Sequence, residues 1–150
     1  MPHCILLAGK PIIPTERPAA EAITPGHLVD FAPSGTTTGK LVKHWASGGD
    51  GAPWFARERL MPDRGTTAEA IDRPYISGET VNWMMGATGD KFYAFLASGV
   101  AVVIGDPLCS AGNGTLTKAA GTNVVVADAA ESVNNSVAAT GPVRLRVYAR

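Results

Sequence analysis

The side chains with chemistry to offer are three histidines, two cysteines, scattered carboxylates and one glycine-bounded loop. That loop, Gly35-Thr36-Thr37-Thr38-Gly39-Lys40-Leu41, is close to a phosphate-binding motif until its spacing is counted. The motif needs four residues between its glycines and Ser or Thr after the lysine, so that amides wrap the phosphate and a hydroxyl reaches the metal. Here three residues intervene, Leu41 follows, and a strand pattern stands where a helix should begin. The loop reads as a hairpin turn. His3, His27 and His44 fall in separate segments without ligand spacing, which predicts surface or strand-edge positions. Cys4 and Cys109 fit no disulfide framework, zinc motif or nucleophile signature, and read as free, mostly buried thiols. There is no Gly-x-Ser-x-Gly elbow. Glu58, Glu69, Glu79 and Glu131 read as solvated charge rather than as a carboxylate pair. The expectation is therefore a chain with no catalytic residue, no cofactor site and no metal ligand.

Binding chemistry is equally sparse. Thirteen basic and thirteen acidic residues cancel, leaving no field to hold a nucleic acid backbone or an anionic membrane. Arg57, Arg59 and Arg64, or Arg144 and Arg146, lack interleaved aromatics and read as ion pairs or solvated charge. Asn113-Gly114-Thr115 and Asn134-Asn135-Ser136 match a glycosylation sequon that has meaning only after export. The apolar run 5–8 is too short for a signal segment, so no export is expected.

The elements that must position these residues are short strands. With 17 glycines, 11 prolines and only 17% charged residues, the composition points to many tight turns and an uncharged surface suited to assembly. At 150 residues it predicts one domain. The stretch 89–118 organises the rest. Residues 91–97 form a strand, Ser98-Gly99 a turn, 100–104 an apolar run, Gly105-Asp106-Pro107 a second turn, and Gly112-Asn113-Gly114 a hairpin turn. In 91–97, Phe92, Ala94 and Leu96 line one face and Tyr93, Phe95 and Ala97 the other, so both faces need cover, from the core and from a second layer or subunit.

Elsewhere, Pro2, Pro11, Pro14 and Pro18 forbid a helix and predict an extended arm over residues 1–22, ahead of a single β domain at 23–150. Two readings of that arm stand: an edge strand of its own barrel, or an arm reaching a neighbouring subunit. Pro25-Gly26 centres a type II turn. Further strands are predicted at 27–31, 40–45, 53–59, 79–85, 123–129 and 143–148, a flexible loop tip at 47–51, a turn at 134–136, and one helical turn at 67–72. In 143–148, Val143, Leu145 and Val147 face in and Arg144, Arg146 and Tyr148 face out.

Taken together, Ile23-Thr24-Pro25-Gly26-His27-Leu28-Val29, Pro74-Tyr75-Ile76-Ser77-Gly78-Glu79-Thr80-Val81, Gly89-Asp90-Lys91-Phe92-Tyr93-Ala94-Phe95-Leu96, Ile104-Gly105-Asp106-Pro107-Leu108, Ser110-Ala111-Gly112-Asn113-Gly114-Thr115-Leu116 and Ala130-Glu131-Ser132-Val133-Asn134-Asn135-Ser136 follow a pattern. It resembles that of the head decoration (capsid cement) proteins of tailed bacteriophages, over residues 20–148. Trp83-Met84-Met85 is bulkier and more apolar than that pattern. The resemblance implies an all-β fold, a small β-barrel or a β-tulip-like or sandwich domain with an extended N-terminal arm. It implies no catalysis, with the major capsid protein and other copies of the chain (dimer or trimer) as partners. The place implied is the capsid exterior, after assembly in the host cytoplasm. The interface expected from the apolar arm and the central strand is Ile5, Leu6, Leu7, Ile12, Ile13, Tyr93 and Phe95, with Arg144 and Arg146 at its rim. Two other classes stay open. One is a non-catalytic barrel binding carbohydrate or protein through Trp45, Trp54 and Tyr75. The other is a small hydrolase with a site assembled in space.

Overall fold

The computed structural model describes residues 2–59 and 69–150. They form fourteen short strands: β1 (Leu6–Ala8), β2 (Arg17–Pro18), β3 (Val29–Phe31), β4 (Leu41–Lys43), β5 (Trp54–Ala56), β6 (Thr80–Val81), β7 (Trp83–Met85), β8 (Lys91–Leu96), β9 (Val100–Val102), β10 (Pro107–Ser110), β11 (Leu116–Lys118), β12 (Ala127–Ala129), β13 (Val133–Asn135) and β14 (Val143–Ala149). Helix among the described residues is confined to single 3-10 turns at Gly35–Thr37 and Ala138–Thr140. The protein is all-β, as its turn density and strand periodicity predict.

Five strands close a barrel in the order β8-β11-β10-β12-β14 and back to β8. The closing ladder is the longest, six antiparallel pairs from Val143↔Leu96 to Tyr148↔Lys91. On the other edge of β8, β11 joins in parallel at Leu116↔Leu96 and β1 in antiparallel at Leu6↔Phe92. Inside lie Phe92, Ala94, Leu96, Leu108, Leu116, Leu145 and Val147, the alternate residues that a period of two turns inward.

A second circuit of ladders stands against the first. The N-terminal arm pairs with β6 at Arg17↔Val81 and with β7 at Ile12↔Met85. β7 pairs with β5, Phe55 of β5 with Leu28, β3 with β4, and Leu41 of β4 returns to Ala19 of the arm. Inside this ring sit Ala19, Ile23, Val29, Leu41, Ala56, Tyr75, Val81 and Trp83. β5 and β7 form a wall between the two cores. Phe55 and Met84 point into the barrel core, where Phe55 meets Phe92 at 4.9 Å between ring centroids. Ala56 and Trp83 point into the other core, with Trp54 and Met85 packed against it. Both faces of Trp83-Met84-Met85 are thus occupied, which accounts for the bulk of that strand.

Along its paired positions the arm is an edge strand of its own ring, one of the two readings left open. Other expectations are corrected. The 47–51 loop is pinned, because Gly48 donates to Ser110 O and its own carbonyl accepts from Val124 N. Residues 134–135 belong to a strand, β13, paired with β9, and the predicted strand at 123–129 shrinks to β12. Thr67 and Ala68 of the predicted helical turn lie outside the described residues, as does Arg64; Glu69 and Asp72 close a single turn at 3.0 Å.

Candidate interaction surface

The residues expected at an interface divide into three groups. Ile5 is fully buried in the barrel core, its carbonyl accepting from Tyr93 N and its amide donating to Glu58 Oε2 at 3.0 Å. Leu6 and Leu7 pack against that core. Tyr93 is only 8% exposed and Phe95 half-buried, and the layer expected over that face of β8 comes from the chain itself. The ring of His27 lies 4.9 Å from that of Phe95, and the Arg144 guanidinium lies over both aromatics, 4.1 Å from Phe95 and 5.8 Å from Tyr93.

Arg144 is the largest departure. It is not a rim charge: its Nη1 donates to Pro25 O at 2.7 Å and its Nη2 to Ile71 O at 2.6 Å, with Asp72 Oδ1 at 3.3 Å. Burial lowers its pKa from the ordinary value, against the pull of Asp72. The covering turn at residues 24–27 has Gly26 at φ 95°, and a Cβ there would fall 2.5 Å from Arg144 Nη1, so only glycine lets the turn sit so low. Arg146 is exposed as expected, 3.4 Å from Glu131.

Two pairs of adjacent apolar residues stand open to solvent, Ile12 (66% exposed) and Ile13 (60%) on the arm and Val103 and Ile104 (68%) at the turn between β9 and β10, while Trp45, Ile76 and Val137 are exposed singly elsewhere. Neighbours in an extended strand point to opposite faces, so the exposure of both isoleucines makes this part of the arm a ridge covered on neither side. Pro11 and Pro14 bracket it, each lacking a backbone donor and so blunting the edge against strand pairing. The turn is rigid. Val103 N donates to Asp106 Oδ2, Ile104 N to Ser132 Oγ, Gly105 N to Ala129 O and Asp106 N to Val103 O. Four consecutive amides are thereby satisfied within the chain, leaving Ile104 held out at the apex. Beside it lies a cleft of about 400 Å³ lined by Ala101, Val102, Val103, Asp106, Lys118, Ser132, Val133 and Asn134. A second of about 400 Å³ lies between Pro2, His3, Glu69, Ile71, Asp72, Tyr93, Val143 and Arg144.

Sequence spacing missed one constellation. His44 is 1% exposed, not at the surface. Its Nδ1 lies 2.7 Å from Ser110 Oγ, and its Nε2 lies 2.7 Å from Asp50 O and 3.9 Å from Asp30 Oδ2. A carbonyl only accepts, so Nε2 carries the hydrogen and Nδ1 accepts from the Ser110 hydroxyl. Ser110 is fully buried and takes a further bond from Gly112 N. This Ser-His-Asp grouping ties β3, the segment after β4, the loop at Asp50 and the end of β10 together, and its hydroxyl is buried. Nothing in the spacing of residues 30, 44 and 110 announces it. Cys109 is buried, which raises its thiol pKa, while Cys4 is exposed rather than buried. Tyr75 is buried and Trp54 joins Phe31 and Trp83 in a ring cluster at 5.3 to 5.6 Å, leaving Trp45 as the exposed member of the three aromatics considered for a carbohydrate platform. Glu58 and Glu79 are held by backbone amides and arginines, Glu79 by Ile76 N first and then Arg59, which lower its pKa.

No protein-family model matches the chain, and no curated protein matches it. Among solved structures, the N base of head fiber gp8.5 of bacteriophage phi29 matches with a TM-score of 0.57 and 13% sequence identity, over 94% of this chain and 95% of that one. That coverage is too high to leave out either ring. The sequence pattern resembles phage head proteins, and this neighbour is a phage head fiber by its own description. The chain has the fold of a phage head fiber base.

Proposed function

We propose that the chain is a structural protein of a phage virion, bound to the outer surface of the head, where it stabilises the lattice of the major capsid protein. The observation that supports this most is a fold shared nearly end to end with a phage head fiber base. The exposed apolar ridge at Ile12-Ile13 and the rigid apex at Ile104 suit a contact made by burial. A protein that binds only the assembled shell shifts the assembly equilibrium toward it by mass action, with no need of a catalytic residue or cofactor. The carbohydrate-binding reading is weakened by the burial of Tyr75 and the packing of Trp54, and the hydrolase reading by the burial of Ser110.

The test is addition of the purified chain to capsids that lack it. Saturable binding to assembled shells, no binding to dissociated shell subunits, and a higher temperature for shell rupture are the expected results. Binding with an unchanged rupture temperature would leave attachment standing and remove the stabilising role. Absence of binding would overturn both.

A further inference from the structure

The geometry points to His27 as an acid-operated clasp between the two rings: protonating its imidazole releases the turn at residues 24–27 from both. This turn is bonded to both rings. On the side of the second ring, Gly26 N donates to Ala56 O and Ala56 N to His27 O. On the barrel side, Phe95 N donates to Gly26 O, Arg144 Nη1 to Pro25 O, and Leu28 N to Gly114 O. His27 keeps the turn closed from within. Its amide donates to Thr24 O at 3.0 Å, and its Nδ1 accepts from Thr24 N at 3.0 Å. An Nδ1 that accepts has no hydrogen, so the ring is neutral with its proton on Nε2.

A proton taken from solvent would land on that same Nδ1. Two N–H groups, those of Nδ1 and Thr24, would then face each other, and the bond that closes the turn would be lost. The new charge would also lie among cations. Lys43 faces the ring from β4 and Arg144 from β14, while β8 offers the uncharged Phe95 ring. The acids nearby are already engaged, Glu21 with Lys43 at 3.4 Å and Asp72 with Arg144 at 3.3 Å. Burial, with Lys43 and Arg144 adding to it, holds the His27 pKa down at about 4. The clasp is therefore whole above pH 6.5, weakens as the pH falls toward 4, and has lost the imidazole's contribution below that.

Hydrogen exchange of the full chain, corrected for the intrinsic pH dependence of amide exchange, tests this. Between pH 6 and 3.5 the amides of Thr24, Gly26, Leu28, Ala56 and Phe95 should lose protection by at least about tenfold. Those of Leu108 and Val126, which lie within the barrel, should hold theirs. His27→Asn keeps an acceptor near Nδ1 without a titrating group, and should abolish the acid response; His3→Ala, at an exposed site, should leave it as in wild type. An equal response in His27→Asn would assign the opening to carboxylates and overturn the proposal. So would protected clasp amides at pH 3.5. Should His27→Asn fail to fold, the His27 ring can be titrated by NMR in the wild-type chain. A ring that takes up its proton near the folded value of about 4, with clasp protection falling as the pH approaches it, supports the clasp; a ring still neutral at pH 3.5 while the clasp amides have lost protection overturns it.

Discussion

At the level of single residues, Arg144 shows what a strand pattern can and cannot convey. Alternation in β14 places it outward, correctly, but outward from this barrel is under another layer, because the turn at 24–27 and residues 71–72 fold over it. Its two backbone acceptors and the two aromatic rings beneath it make it part of the structure. Arg144→Met should lower stability by about 3 kcal/mol, the loss of two hydrogen bonds from a charged donor, read as a fall in melting temperature. Arg146→Met, losing an exposed pair with Glu131, should change it by less than about 1 kcal/mol. Equal effects would show that Arg144 is no clamp. His27 gives stability a pH dependence. With a folded pKa of about 4 against 6.5 in the unfolded chain, the unfolded state binds more protons between those values. Stability is then whole above pH 6.5 and falls as the pH drops toward 4, by on the order of 3 kcal/mol. Thermal melts from pH 7 to 4, with His27→Asn as reference, would measure it. His44 was illegible for a different reason: residues 30, 44 and 110 meet from separate segments and leave no spacing in the chain.

Among the elements, the arm settles a choice that the sequence left open. Its prolines and apolar residues show that it is extended. They do not show on what it lies, since the parallel bridge from Ala19 to Leu41 and the antiparallel pairing with β6 depend on register across distant segments. With Ile5 in the barrel core and Ile12 and Arg17-Pro18 paired with β7 and β6, deleting residues 2–18 should cost several kcal/mol rather than leave an intact fold. The measurement is near-ultraviolet circular dichroism of the Trp54-Trp83 cluster, expected to collapse. A deletion variant with the wild-type spectrum and melting temperature would show that the arm is dispensable to the ring. Substitution separates folding from binding. Ile13→Asp and Ile104→Asp, at exposed sites, should shift stability by no more than about 0.5 kcal/mol. Each should weaken retention on capsids at least tenfold if these are the docking residues. The strand 91–97, by contrast, was almost wholly legible, because both of its faces are apolar and both proved covered.

For the molecule as a whole, the pairing of charge decides how a partner can be held. Arg146 with Glu131, Arg150 with Asp128, Lys118 with Asp106, Lys43 with Glu21, Arg59 with Glu79 and Arg144 with Asp72 all lie within the chain. Cations so neutralised project little field, and exposed pairs contribute about 0–1 kcal/mol each. Apolar burial at about 25 cal/mol per Å² is insensitive to screening. Capsids carrying the protein should therefore retain it through a wash at about 1 M salt, where the Debye length is only about 3 Å. Release at moderate salt would show that charge makes the contact. The balanced composition foretold this neutrality, though not which partners would meet.

The position of β8 has a consequence for how the chain comes to be made. One of its edges is shared by β1, some eighty residues earlier, and β11, and the other is taken by β14, some fifty residues later. A nascent chain leaving the ribosome presents β1 long before β8, and completes β8 long before β14 can close it. Until the segment between β8 and β14 has been made, the barrel lacks its longest ladder. Ile5, Phe92 and Phe95 must wait in contact with solvent or with a chaperone. High contact order of this kind slows closure, so the yield of folded protein should depend more on synthesis temperature and chaperone supply than on the stability of the finished barrel.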